Sequence, residues 1–375
     1  MKLTAQIKLL TTQAQHDALL ETLQLANAAC NYMSEQAWES QTFGQYGLHQ
    51  LVYHDVRQRF ALSAQVVVGC ISKVSDAYRL DKKVKCTFKP TAAVTYDSRI
   101  LTWAVEKRQV SIWSVKGRLT IPFVCGERQW ELLQTQRGET DLAHVNGVFY
   151  LLTTCQVDEP TPQDIDGALG VDLGIVNIAT DSDGESHSGS QVKSVRHRHR
   201  RLRKRLQKRQ TDSARRRLKK LAGKERRFAK DVNHTISKRL VEKAKRTGRG
   251  IALEDLEGIL HRVRAKKPQR SQLHSWSFHD LGQKIAYKAK LAGVPVFWVD
   301  PRNTSRTCPE CGHCDKHNRP KQSTFSCVVC GYAAHADYIA AVNIGHRAVV
   351  HPPNVGMSDQ CALDLQVAGL VPAVS

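Results

Sequence analysis

Apolar and polar positions change their period several times along this chain, and each change predicts a different kind of element. Residues 2–9 read as a short strand, whereas from 12 to 40 Leu19, Leu20, Leu23, Leu25, Ala26, Ala29, Cys30 and Met33 recur at helical spacing. Helices are expected to continue to about residue 82. From 86 to 157 the chain turns to short β-rich runs, at 93–96, 109–113, 118–123 and 148–155, separated by Gly, Asp and Ser. This predicts a small β-barrel, residues 1–10 and 84–160, interrupted by a helical insert over 11–83.

The polar segment DEPTPQDIDG, 158–167, is the best domain boundary in the sequence. After it, Gly170-Val171-Asp172-Leu173-Gly174 lies in an apolar strand that turns at Gly174 and continues as 175–180, and Asp181-Ser182-Asp183-Gly184 supplies a hairpin turn. Leu202, Leu206, Leu218, Leu221, Phe228, Val232, Ile236 and Leu240 then mark long helices with one apolar stripe, within 193–247. Buried-type strands follow at 250–256 and 294–300, with a helix at 278–292 between them and another at 337–350. The expectation is an α+β multidomain chain. Its second domain takes 165–304 and 332–350 and is interrupted by a module at 305–331, and residues 351–375 form a tail.

Charge narrows the class of partner. Fifty-six Lys and Arg against 35 Asp and Glu give a formal charge of +21, which favours a polyanion, because basic side chains displace the counterions condensed on phosphates. A basic membrane-surface protein is the competing reading. Against it, no apolar stretch approaches the ~18 residues a span requires, and the start MKLTAQIKLL lacks the continuous apolar run of a signal peptide. A cytoplasmic protein is expected. Residues 193–220 hold 15 Lys or Arg and one acid, Asp212. Lys193, Arg196, Arg198, Arg200, Arg201, Arg203, Lys204 and Arg205 are too one-signed for a salt-bridged face and are the candidate phosphate-tracking residues. Trp276, Phe278, Tyr287 and Trp298 have spacings common in cores and are not taken as base readers.

Of eleven cysteines, Cys30, Cys70, Cys86, Cys125, Cys155 and Cys361 are scattered singly, as reduced structural cysteines are, while five crowd into 308–330. Cys308-Pro-Glu-Cys311 and Cys327-Val-Val-Cys330, each followed by Gly and separated by 15 residues, have the spacing of a four-cysteine zinc ribbon. Four thiolates leave no open position for substrate, so Zn2+ there is structural. Cys314 is a spare that can stand in for Cys311.

The candidate catalytic groups are acids in unusual places. Asp172 sits inside an apolar strand, Glu254 ends another, and Asp337 starts a helix. An acid at a strand end is ordinarily a cap or turn residue, and a one-residue change of register exchanges Glu254 with Asp255. Asp172 fits that reading least, because a charge among Leu169–Ile178 needs a metal or partner to offset its desolvation. A hairpin-rich sheet followed by alternating strands and helices can bring the three together. Such a trio can hold two Mg2+ or Mn2+ ions about 4 Å apart and hydrolyse a phosphodiester.

GVDLGIVNIATDSDG, IALEDLEGI, LAGVPVFWVDPRNTSRTCPECG and CGYAAHADYIAAVNIG resemble the RuvC and zinc-ribbon signature of the TnpB family, the OrfB-type insertion-sequence proteins related to compact type V CRISPR nucleases. The match is close over 165–346 and looser before it. The resemblance implies an RNase H-like (RuvC) nuclease domain with an inserted four-cysteine zinc ribbon, behind a wedge-like β-barrel carrying recognition helices. It implies Asp172, Glu254 and Asp337 as catalytic acids holding Mg2+ or Mn2+, and Cys308, Cys311, Cys327 and Cys330 as zinc ligands. It also implies a guide RNA from the transposon end, cutting of double-stranded DNA beside a short motif, and a prokaryotic, nucleoid-associated location; protein partners are not implied. The family's last motif reads Asp-x-Asn-Ala-Ala, and here Ile339, which cannot hydrogen-bond, stands at the Asn position. A guided repressor that does not cut, a metal-dependent transposase and an effector served by a CRISPR array are the other functions compatible with these residues.

Overall fold

Strand β1 (Lys2–Leu9) buries Ala5, Ile7 and Leu9 and exposes Lys2, Thr4, Gln6 and Lys8, as side chains alternating across a half-covered sheet must. The computed structural model describes residues 1–256 and 278–350. The contacts divide the chain into one unit over Met1–Asp158 and a second from Glu159.

In the first unit β1 is the middle strand of a seven-stranded antiparallel sheet. The others are β2 (Val94–Tyr96), β3 (Leu101–Ala104), β4 (Gln109–Ser114), β5 (Gly117–Val124), β6 (Gln136–Val145) and β7 (Val148–Gln156). The order is β2-β6-β7-β1-β5-β4-β3. Its two edge strands are joined by the short turn 97–100, so the sheet curls into a nearly closed barrel. Helices α1 (Gln13–Glu39), α2 (Gln45–Phe60) and α3 (Ala64–Leu80) intervene between β1 and β2. Their Leu19, Leu23, Met33, Val67 and Ile71 share one apolar cluster with Ile7, Ile112 and Phe149 of the barrel. Thr12 and Gln15 close a capping box at the start of α1. A short helix α4 (Glu127–Gln134) and strands β3 and β6 were not legible in the sequence. β6 is rich in polar residues, and a register shift between Gln136 and Thr140, with Gly138 at φ +85°, breaks its alternation.

The second unit is built on a five-stranded sheet of β8 (Ala168–Asp172), β9 (Asn177–Asp181), β10 (Ser186–Ser188), β11 (Gly250–Glu254) and β12 (Val296–Val299). The order is β10-β9-β8-β11-β12, antiparallel through the hairpins and parallel from β8 to β11 to β12. Residues 173–176 form the turn between β8 and β9, so the second strand starts at Asn177 and not at 175. The sheet is covered on both faces. Leu169, Val171, Ile251 and Leu253 pack against Ile236 and Leu240 of α6 (Asp212–Arg246) and Leu281 and Ile285 of α7 (Phe278–Ala292). On the other face Ala168, Ala252 and Val299 meet Ile344 and Ala348 of α8 (Ala336–Val350). Helix α5 (Ser190–Arg209) packs on α6 across a two-residue connection, Gln210 and Thr211. The fully buried Asp181 accepts from the amides of Asp183 and Glu185 and pairs with Lys243, which ties the β9–β10 turn to the end of α6. Residues 305–331 leave the sheet after β12, and β13 (Thr324–Ser326) pairs with β14 (Ala333–His335) before α8 begins. The α+β architecture expected from the sequence is the one observed. Trp276, Cys361 and the tail expected over 351–375 lie outside the described residues.

Helix α8 lies directly on β8. A Cβ on Gly170 would come within 1.9 Å of the Ala341 carbonyl oxygen and 2.4 Å of the Gly345 nitrogen, and one on Gly345 within 3.0 Å of the Ala168 oxygen. These obstacles are backbone atoms and cannot turn aside. Gly170→Ala is therefore expected to cost more than the ~1–3 kcal/mol of ordinary overpacking, read as a loss of thermal stability confined to the second unit.

Candidate functional site

Parallel register decides where the first two acids meet. Leu253 of β11 stands beside Val171 of β8, so the next residues, Glu254 and Asp172, end adjacent strands side by side. Both share parity with Ala252, Ala168 and Gly170, which puts them on the face covered by α8. Asp337 lies in the first turn of α8, and the close seating of that helix on Gly170 brings its N-terminal turn over the strand ends. Asp255, the alternative to Glu254, has the opposite parity and is exposed.

The electrostatics report the crowding. Burial pushes the Asp172 carboxyl up to about 8, with further upward pressure from Glu254 and Asp337 and only Arg319 opposing. Burial also raises Glu254, against a hydrogen bond from Thr304 and the charges of Arg347 and Arg319. Asn177 Nδ2 donates to the Asp337 carboxylate at 3.1 Å, and Thr304 Oγ1 donates to Glu254 at 2.6 Å. A cluster of oxygen acceptors in which burial, and for Asp172 also the neighbouring carboxylates, raises proton affinity suits a hard divalent cation.

Asn177, Thr304 and Arg319 were not singled out in the sequence. Asn177 is five residues from Asp172 in the same hairpin, the one signal that pointed to it. Thr304 and Arg319 lie in non-periodic segments where nothing marks an inward-facing side chain. Ile339 is fully buried in a separate apolar cluster with Cys308, Phe325 and Cys327, so at this position packing beneath the cysteine module takes the place of hydrogen bonding.

The cysteine module is a second centre. One sulfur from each of Cys308, Cys311, Cys327 and Cys330 lies within 4.8 Å of all the others. Cys308 and Cys330 stand 3.6 Å apart, and Cys311 and Cys327 3.5 Å. A tetrahedral ion with ~2.3 Å metal–sulfur bonds has sulfur–sulfur edges of about 3.8 Å, so the set can hold a metal ion. The backbone N–H groups of Cys330 and Val329 lower the Cys327 thiol to about 6, against burial. Cys314 is exposed and outside this group; its backbone instead pairs with Thr307.

Of the eight basic candidates on α5, Lys193, Arg198, Arg200, Arg201, Lys204 and Arg205 are exposed, and they follow one another at helical spacing. Arg196 and Arg203 are half-buried, and Arg203 pairs with Glu225 of α6 at 2.7 Å. These two serve the helix pair. Tyr287 lies within 3.5 Å of His234 on α6, and the Trp298 ring lies against Gly282 of α7, so both aromatics are engaged by neighbouring elements of their own unit. Among the described residues no helix is long and apolar enough to cross a membrane.

Comparison with known proteins agrees with this geometry. Residues 151–257 match the OrfB_IS605 family, described as a probable transposase, and residues 278–344 match the Cas12f1-like TNB domain. The chain is 43% identical over 118 residues to the CRISPR-associated endodeoxyribonuclease Cas12f1 of Sulfoacidibacillus thermotolerans, covering 31% of this chain and 26% of that protein. It is 37% identical over 128 residues to the TnpB-like protein MJ0751 of Methanocaldococcus jannaschii, covering 34% of this chain and 45% of that one. The matches thus span between about a quarter and a half of these relatives. In fold it resembles Cas12f1 as seen in a complex with single-guide RNA and target DNA, with a TM-score of 0.61 at 16% identity, over 90% of this chain and 83% of that one. The family resemblance read from the sequence is borne out.

Without a divalent cation, Asp172 should be a burden on the fold. Its carboxyl ionises near 3.9 in the unfolded chain and near 8 in the folded one. The folded state therefore binds the proton more tightly, and stability is lost as pH rises from about 4 to about 8. Asp172→Asn is expected to melt higher than the wild type by a margin that grows from pH 5 to pH 8, with a ceiling of ~6 kcal/mol. Thermal denaturation without added Mg2+ checks this, and a margin that is flat with pH would refute it.

Proposed function

We propose that this chain, a protein of the TnpB and compact type V nuclease group by its two matched regions, is an RNA-guided, metal-dependent DNA endonuclease. The observation that carries the reading is the convergence of three acids from distant sequence, with Asp172 and Glu254 side by side at the ends of adjacent strands and Asp337 in the first turn of the helix over them, close enough that Glu254 and Asp337 add to burial in raising the proton affinity of Asp172. A structural cap has no reason to be built that way, since buried like charges destabilise the fold unless a cation joins them.

In this reading Asp172, Glu254 and Asp337 hold two Mg2+ or Mn2+ ions. When bound, the ions activate water for attack on a phosphodiester and stabilise the leaving 3′ oxygen. Asn177 fixes the orientation of Asp337, and Arg319 adds positive charge beside the acids, where the phosphate would enter. The exposed stripe on α5, Lys193, Arg198, Arg200, Arg201, Lys204 and Arg205, tracks nucleic-acid backbone. Base pairing with a guide RNA from the transposon end carries sequence specificity. The barrel, 1–10 and 84–160, and its helical insert, 11–83, act as wedge and recognition elements that engage a short motif beside the double-stranded target. Cys308, Cys311, Cys327 and Cys330 hold a structural Zn2+. A protein with this task works in the prokaryotic cytoplasm, at the nucleoid.

Two experiments test this. Purified protein is expected to carry one zinc per chain by elemental analysis, lost in Cys311→Ser and kept in Cys314→Ser; equal loss in both would put Cys314 among the ligands. Expression with the native downstream locus, sequencing of the copurifying RNA, and challenge with a target plasmid of randomised flanks plus Mg2+ should give guide-dependent cutting that Asp172→Ala lowers by roughly 100-fold or more. Target binding with no cutting in either protein would favour a repressor, joined products a transposase, and the lack of any defined RNA would remove the guided reading.

A further inference from the structure

The segment between β12 and the first zinc-type knuckle is held far more tightly than a connection requires. Asn303 takes a left-handed φ of +61°, and its carbonyl accepts from the amides of Arg306 and Thr307 at 3.0 and 3.1 Å and from the Thr307 hydroxyl at 2.9 Å. Thr304, only 3% exposed, is thereby turned inward, where its Oγ1 donates to Glu254 Oε1 at 2.6 Å and lies 3.1 Å from the Pro301 oxygen.

The same turn is clamped from two other directions. Asn343 of α8, itself 6% exposed, donates both amide hydrogens into it, to the carbonyls of Thr304 at 2.7 Å and Thr307 at 2.8 Å. From the cysteine module, the fully buried Asn318 donates to the carbonyls of Arg306 at 2.9 Å and His313 at 3.0 Å and accepts from the Val328 amide at 3.0 Å. His313 follows the first knuckle, and Val328 sits inside the second. Hydrogen bonds therefore run without a gap from the cysteine cluster through Asn318 and the 303–307 turn to the carboxylate of Glu254. At its other end the module delivers the chain into α8, where Asp337 follows β14 by two residues.

We propose that Thr304 is a positioning residue for the nuclease site: its hydroxyl, fixed by Asn343 and by the cysteine module through Asn318, orients Glu254 for divalent-cation binding. This deepens the nuclease reading and rests on it. A carboxylate at a strand end rotates about its side-chain torsions, and a bond from a hydroxyl that cannot itself move selects one orientation before the cation arrives. Groups that orient a metal ligand in this way are commonly worth about 10–100-fold in metal affinity. On this account the module is a brace for Glu254 on one side and Asp337 on the other, besides whatever it touches in a nucleic acid.

The test titrates Mn2+ into the full-length, zinc-loaded protein and follows free Mn2+ by electron paramagnetic resonance. Thr304→Val keeps the shape and removes the hydroxyl, Thr304→Ser keeps the hydroxyl, and Asp172→Ala marks the site. Wild type is expected to bind Mn2+ in a manner lost in Asp172→Ala. Thr304→Val should bind about tenfold more weakly and Thr304→Ser within about twofold of wild type, with zinc content and melting temperature unchanged in both. Equal affinity in wild type and Thr304→Val would show that Thr304 only packs. Equal weakness in serine and valine variants would show that the hydroxyl is not the operative group. If valine lowers the melting temperature, Thr304→Ala compared with Thr304→Ser carries the same decision. Failure of the wild type to bind Mn2+ in an Asp172-dependent manner would instead overturn the nuclease-site reading, and this inference with it.

Discussion

The second unit depends on how closely a helix can approach a strand. Helix α8 rests on β8 with no side chain between them at Gly170, and Gly345 answers from the helix. That contact sets the height of α8 above the sheet and so the position of Asp337 over Asp172 and Glu254. It also places Asn343, one helical face further along, where it can hold the 303–307 turn. The site is therefore a consequence of backbone packing at a place with no chemistry of its own. Close packing transmits such a constraint because interiors have little free volume in which to absorb a displacement.

Against this rigid frame the acids are under strain of a different kind. Three carboxylates share a poorly solvated corner, and the charges that oppose them from the protein are Arg319, which acts from within the cysteine module, and Arg347 of α8. The polar partners of the acids come from three separate segments: Asn177 from the β8–β9 hairpin, Thr304 from the connection after β12, and Arg319 from the module. The site is thus distributed, and the inserted module belongs to it structurally as well as bordering it in sequence. The four sulfurs, placed where they can hold one metal ion, sit on the knuckles from which these connections hang.

The sequence by itself determined the architecture and the chemistry types. The 3.6-residue stripes of α1 and α6, the alternation of β1, and the all-apolar runs of β8 and β11 are local patterns, and burial of one face is enough to make them legible. The paired CxxC motifs are likewise local, since four thiolates at that spacing have few other uses. Asp172 stood out in the sequence because a carboxylate in an apolar strand is costly. Where local patterning is weak, reading failed: β6 is polar and bulged, and β3 and α4 are too short to show a period.

What only the tertiary structure decided is which residues surround those acids and which cysteines close the cluster. Parallel register chose Glu254 over Asp255, by putting one on the α8 face and the other in solvent. The fold chose Cys311 over Cys314 by placing its sulfur within the cluster. It assigned Arg203 to an internal ion pair while leaving its neighbours exposed, and it turned Asn177 and Thr304 inward. None of these is a property of a segment. Each depends on the direction a side chain takes once strands and helices from distant sequence are fixed in space, and spacing along the chain does not encode that direction.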